Sequence, residues 1–203
     1  MNRLPKFPLR YLITSGESDD NSFRVKKPEI LNIIRRSADA NIELVQIREK
    51  RLSARYLFEL TASAVSAAKG SNTKVLVNDR FDIALATGAA GVHLTGSSMS
   101  PLIVRSEVPE KFLIGVSTHS IAEIIAASEN SADFVLFGPV FETPGKGEAV
   151  GLELFREACL SVSPFPVIGV GGIDETNFDS VLKNGAAGYA AIRYLNEFVK
   201  IRK

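Results

Sequence analysis

Unusual polar side chains stand at the ends of short apolar runs in this chain. Gln46, Arg48, Glu49 and Lys50 follow Ile42–Val45, and Asn78, Asp79 and Arg80 follow Val75-Leu76-Val77. His93 lies just ahead of Thr95-Gly96-Ser97-Ser98, and Ser117, Thr118 and His119 follow Ile114-Gly115-Val116. Glu142-Thr143-Pro144-Gly145-Lys146-Gly147, Gly171-Gly172 and Arg193 complete the set. Cations, amides and hydroxyls in this mixture suit a phosphorylated ligand, because charge-assisted hydrogen bonds to phosphate are strong. Gly171-Gly172 could turn backbone N–H groups toward a phosphate, and Lys146 could ride a mobile glycine-rich lid. Plainer readings exist for each. Arg48 and Lys50 could be solvated rim charges, Asp79 a cap for a helix near Phe81, His119 a helix-start residue and Gly171-Gly172 a tight turn. Their recurrence at the ends of successive runs argues for one site.

The elements that must position these residues alternate. Strands are expected at Arg10–Thr14, Ile42–Ile47, Lys74–Asn78, Gly91–Leu94, Phe112–Ser117, Asp133–Gly138, Pro166–Gly171 and Ala187–Ile192. Nearly continuous apolar runs such as Phe134-Val135-Leu136-Phe137 fit strands buried on both faces, as in parallel sheets. Between them, Leu57, Leu60, Ala64, Val65 and Ala68 share one helical stripe. Ser120 and Glu123 stand at capping-box spacing before Ile121, Ile124 and Ile125. Pro28 reads as the first turn of the first helix, Asp174 as a later N-cap with Gly185 past that helix's end, and Gly16–Lys27 as an exposed loop.

Eight strand–helix units, with Thr14-Ser15-Gly16-Glu17 rather than a dinucleotide fingerprint after the first strand, predict a single α/β domain over 1–203: a (β/α)8 TIM barrel. In that architecture strand C-termini carry the chemistry, so Arg48, Lys50, Asn78, Asp79, Ser117, Lys146 and Gly172 should face one cavity.

Composition narrows the partners. With 24 Lys+Arg against 23 Asp+Glu, nothing draws the chain as a whole to nucleic acid or anionic membrane. The lone Cys159 makes neither an internal disulfide nor a cysteine-rich metal site, and no stretch reads as a secretory signal or membrane span. A cytoplasmic protein is expected. Self-association stays open, since small barrels often associate.

The runs Val45-Gln46-Ile47-Arg48-Glu49-Lys50, Val77-Asn78-Asp79-Arg80, Gly91-Val92-His93-Leu94, Gly115-Val116-Ser117-Thr118-His119, Phe137-Gly138-Pro139-Val140-Phe141-Glu142-Thr143 and Gly171-Gly172-Ile173 together resemble the thiamin phosphate synthase/TenI family, in order and from about Tyr11 to Leu195. The resemblance implies coupling of hydroxymethylpyrimidine pyrophosphate to thiazole phosphate. Pyrophosphate departs with the help of Mg2+, leaving a pyrimidine-methyl cation that the thiazole nitrogen attacks. It implies that Gln46, Arg48, Lys50 and Asn78 hold the pyrimidine pyrophosphate, with Ser117 and Lys146 on the diphosphate. Asp79 would bind Mg2+, and Thr143 and Gly172 would line the thiazole phosphate side.

The chain departs from that family's pattern at four positions. Ser98 stands where a second metal-binding aspartate is usual, and Thr143-Pro144-Gly145-Lys146 lacks one hydroxyl. Arg193 replaces a phosphate-binding serine, still able to grip phosphate, and Ser15 replaces an aspartate. These departures leave a second reading open, a TenI-like thiazole tautomerase in which His119 moves the proton. A third reading is a non-catalytic binder of thiamin phosphates. Asp79 with the complete Gln46, Arg48 and Lys50 set tips the balance toward the synthase.

Overall fold

The computed structural model describes residues 3–201; residues 1–2 and 202–203, within the expected domain bounds, lie outside the described residues. Eight strands and eight helices alternate along the chain. They are β1 (Leu9–Ile13), α1 (Phe23–Asp39), β2 (Leu44–Ile47), α2 (Ala54–Ala67), β3 (Lys74–Asn78), α3 (Phe81–Thr87), β4 (Gly91–Leu94), α4 (Pro101–Glu107), β5 (Leu113–Thr118), α5 (Ile121–Glu129), β6 (Phe134–Phe137), α6 (Gly151–Ser161), β7 (Val167–Val170), α7 (Phe178–Lys183), β8 (Gly188–Ala191) and α8 (Arg193–Ile201). All the strands pair in parallel, and β8 returns to β1, with Tyr11 beside both Leu44 and Ala190. The sheet therefore closes into the expected barrel, and all strand C-termini share one end.

Alternation along each strand divides the core in two. Leu9, Tyr11, Ile13, Leu44, Leu76, Leu113, Phe134, Leu136, Ile168 and Ala190 fill the barrel interior. Leu12, Val45, Ile47, Val77, Val92, Ile114, Val135 and Phe137 point outward and pack against the helices. Of the α2 stripe, Leu57, Leu60, Ala64 and Ala68 are buried and Val65 packs against them. Among the described residues no helix is long and apolar enough to cross a membrane.

Three local expectations change. The segment 16–27 is not a plain exposed loop: Ser18 and Phe23 are buried, and α1 already starts at Phe23. The cause is tertiary, because the Phe23 ring stacks on Tyr56 of α2 at 4.4 Å between centroids. Pro28 consequently lies inside α1, beyond its first turn. Asp174 is not the N-cap of α7. That position is Asn177, while Asp174 closes a turn one step earlier by accepting from the Thr176 amide at 2.9 Å and hydroxyl at 2.7 Å. Asp79 does not cap α3 either, as Arg80 stands at that N-cap. The capping expectation for α5 does hold. The Glu123 amide donates to Ser120 Oγ at 3.2 Å, and the Glu123 carboxylate accepts from the His119 amide at 2.7 Å.

Candidate active site

The polar strand ends gather at the C-terminal mouth in separate clusters. The first spans β2, β4 and β5. Gln46 is buried and inward-facing, and its Nε2 has no partner among the described residues. Two residues on, the Arg48 amide donates to Thr14 Oγ1 at 2.9 Å, which ties the β2 end to the β1 end. The Arg48 guanidinium lies beside Gly16, with Nη1 3.4 Å from where a Cβ on that glycine would stand. Its charge also reaches His93. Burial and that charge push the His93 imidazole down to about 3, so the ring is neutral near pH 7. His93 Nε2 lies 2.9 Å from Ser117 Oγ.

The second cluster joins β3 to the loop after β4. Asn78 ends β3 in register with His93. Asp79 adopts φ +67°, uncommon for a residue with a side chain but better tolerated by Asp than by most. Its amide is held by the His93 carbonyl at 2.8 Å, and its carboxylate accepts the Ser98 hydroxyl. Ser98 Oγ in turn accepts from the Thr95 amide at 2.7 Å. Among the described residues no group of three or more His, Cys, Asp and Glu side chains could enclose a metal. One carboxylate with a neutral hydroxyl beside it fits Mg2+ only where a ligand's phosphate oxygens and water supply the remaining positions, a common arrangement for this ion.

The third cluster lies over β6 and β7. The Val140 and Phe141 amides donate to Val170 O at 2.9 Å and Gly171 O at 3.1 Å, extending the pairing beyond the strands. Gly172 combines φ +64° with a close approach: a Cβ there would meet Glu142 O and Phe141 Cβ at 2.7 Å. Its carbonyl is turned back to Asn177 Nδ2 at 2.9 Å, and its amide has no acceptor among the described residues. Thr143 Oγ1 donates to Phe141 O, and the Lys146 amide closes a turn on Thr143 O. Residues 144–148 between them are exposed.

Lys50, Lys146 and Arg193 are exposed and form no ion pair among the described residues. Arg193 opens α8. His119, also exposed, places Nδ1 2.9 Å from Gly138 O; a carbonyl only accepts, so Nδ1 carries a proton and the contact fixes the ring's orientation. The expected gathering at one mouth is thus present at the level of strand ends, with direct side-chain contact only inside the clusters. Two shallow, open concavities lie elsewhere, one of about 770 Å3 between α1 and α2 and one of about 280 Å3 near Arg3 and Pro164. Lys27 and Arg3, which line them, are already paired with Glu59 and Asp133.

Glu49, one of the polar residues after β2, is buried and accepts from the Gly16 and Ser18 amides at 3.2 and 2.9 Å, clamping the loop after β1. His93, noted among the polar strand ends but given no role there, contacts Ser117 directly. The available signal was its parity with inward Gly91 and the glycine at 115, its register partner on β5.

The model of the family described as "Thiamine monophosphate synthase" matches residues 10–195. The chain belongs to this family. It is 36% identical over 163 residues to thiamine-phosphate synthase of Methanocella arvoryzae, covering 79% of this chain and 76% of that one. It is 33% identical over 180 residues to thiamine-phosphate synthase of Clostridium acetobutylicum, covering 88% and 85%. In structure it is similar to thiamine phosphate pyrophosphorylase from Pyrococcus furiosus, with TM-score 0.80, 29% identity and coverage of 98% and 93%. The matched span runs from β1 into α8.

Proposed function

We propose that this chain is a thiamin phosphate synthase, joining hydroxymethylpyrimidine diphosphate to thiazole phosphate and releasing pyrophosphate. The observation that carries the reading is the mouth of β2–β5. A buried Gln46 near the end of β2, whose Nε2 has no partner among the described residues, shares the mouth with Arg48 and Lys50 beyond it and with Asp79 and Ser117 at the ends of β3 and β5.

The Gln46 Nε2 group needs an acceptor, and a pyrimidine ring nitrogen is one. Arg48, Lys50, Asn78, Ser117 and Lys146 surround the diphosphate. Negative charge builds on this leaving group as the bond to the pyrimidine methylene breaks, so donors fixed in place before reaction stabilise the transition state. Mg2+, held by Asp79 and the diphosphate, would neutralise part of that charge. The apolar interior below, with Tyr11 and Phe134, keeps water from the pyrimidine-methyl cation. Thr143, the Gly172 amide and Arg193 hold the thiazole phosphate so that its ring nitrogen meets the cation. We place the whole of 1–203 in one domain working in the cytoplasm on these two small phosphorylated substrates, with self-association open.

The tautomerase alternative is not favoured, since the named relatives are synthases. His119, its ring oriented by Gly138 O, is compatible with either chemistry. The deciding experiment supplies purified protein with both substrates, with Mg2+ or with chelator. Thiamin phosphate formed only with Mg2+, and lost in Asp79→Ala, is the expected result. No coupling, with aromatisation of the thiazole tautomer that His119→Ala abolishes, would replace the synthase by the tautomerase. Tight ligand binding with neither turnover would leave a binder.

A further inference from the structure

Beneath the mouth, His93 occupies a site built to receive it. The ring is 2% exposed and lies edge-on to Tyr11 at 5.8 Å and tilted against Phe134 at 6.1 Å. Room for it comes from the neighbouring strand: a Cβ on Gly115 would stand 2.8 Å from His93 Nδ1 and 2.3 Å from Phe134 Cζ. His93 pairs in register with Gly115, so the next inward position on β5 is Ser117, and His93 Nε2 reaches it diagonally at 2.9 Å. Nδ1 has no partner.

Only two tautomers are available. With the proton on Nδ1, a buried N–H goes without an acceptor and the Ser117 hydroxyl must spend its proton on the imidazole below. With the proton on Nε2, only a lone pair is left unpartnered, a lesser fault than an orphaned N–H, and Ser117 keeps its proton. Neither group that faces the ring and could bear charge opposes the second arrangement. Burial and the Arg48 charge keep the ring neutral, and the Tyr11 hydroxyl, itself without a partner among the described residues, hydrogen-bonds neither ring nitrogen.

We propose that His93 is a positioning residue: held as the Nε2–H tautomer, it donates to Ser117 Oγ and so points the Ser117 proton out of the barrel, toward a diphosphate oxygen. The diphosphate half of this statement rests on the synthase reading; the tautomer does not.

The ring nitrogens of 15N-labelled protein test the tautomer directly. The chain has two histidines, so a His119→Gln variant assigns both. The expected His93 signals are a protonated Nε2 and a bare Nδ1; a protonated Nδ1 overturns the proposal. Binding of inorganic pyrophosphate with Mg2+, measured by calorimetry, tests the consequence. Ser117→Ala should weaken it about tenfold, the value of one hydrogen bond to a charged group. His93→Leu should weaken it similarly, His93→Gln, which keeps an N–H donor at that reach, should recover most of it, and His93→Leu should cost nothing further in the Ser117→Ala background. Equal and additive losses in the double variant would overturn the proposal, as would failure of Gln to rescue in a folded variant. Pyrophosphate coupling that survives while no thiamin phosphate forms would sink the synthase reading and leave the His93–Ser117 pair standing.

Discussion

The two ends of the barrel treat charge in opposite ways. At the N-terminal end, Asp133 is held by Arg3 and Arg105, each at 2.6 Å, and also accepts from the Ile114 amide at 2.7 Å. Arg10 pairs with Glu43 at 2.9 Å, and that hydrogen-bonded pair raises the Arg10 pKa against the opposing effect of burial. At the C-terminal end, Lys50, Lys146 and Arg193 form no ion pair among the described residues, and Gln46 Nε2 and His93 Nδ1 have no partner there. A floor that pairs its charges gains rigidity, although Arg105 Nε has no partner among the described residues. A mouth that leaves its charges unpaired forgoes stability and keeps donors ready for an anion.

The contrast makes stability and activity separable. The largest effect should come from Asp133→Ala. It strips a buried acid from Arg105 and should cost about 3–5 kcal/mol, lowering the melting temperature by about 10 °C. Whatever protein remains folded should keep its turnover per molecule. A melting temperature within a degree of the parent would deny the floor its structural role.

The acid limb of stability should come next. An unfolded imidazole takes up a proton below about 6.5, whereas folded His93 resists until about 3. The unfolded state then binds more protons, so stability falls as pH falls between those values, by about 1.4 kcal/mol per unit. Urea midpoints from pH 6.5 to 4.5 should fall less steeply in His93→Gln; parallel curves would mean that the ring charges without cost.

Arg48→Ala probes the mouth alone. Losing one preorganised cation should lower kcat/KM about 100-fold or more, as does removal of comparable charge-stabilising donors. Lys146→Ala should lower activity while leaving the unfolding free energy from urea titration within about 0.5 kcal/mol. A matched loss of stability would erase the distinction between the two ends. Smallest of all, Ser98→Asp should tighten Mg2+ binding in the presence of pyrophosphate by adding a second carboxylate beside Asp79. Unchanged affinity would move the metal away from Asp79.

Much of this was legible along the chain. Apolar runs such as Phe134–Phe137 and the polar residues that follow them mark both strands and rim, because alternation and burial on two faces are properties of consecutive residues. The strand boundaries shift by only one or two positions, as where Leu113–Thr118 replaces Phe112–Ser117. Caps and helix starts were less legible. Pro28 and Asp174 carry strong local preferences, yet Phe23 packing on Tyr56 moved the start of α1 and Asn177 took the cap of α7.

By itself the sequence determined eight parallel strand–helix units, the family and the residue types available at the strand ends. Tertiary structure alone decided which of those residues touch. Closure of the barrel and its register set Ser98 on Asp79, His93 beneath Ser117 and Glu49 against the loop after β1. The physical reason is range. Periodicity is written within a few residues, whereas these contacts join positions 19 to 31 apart, through neighbouring strands whose stagger no local pattern records.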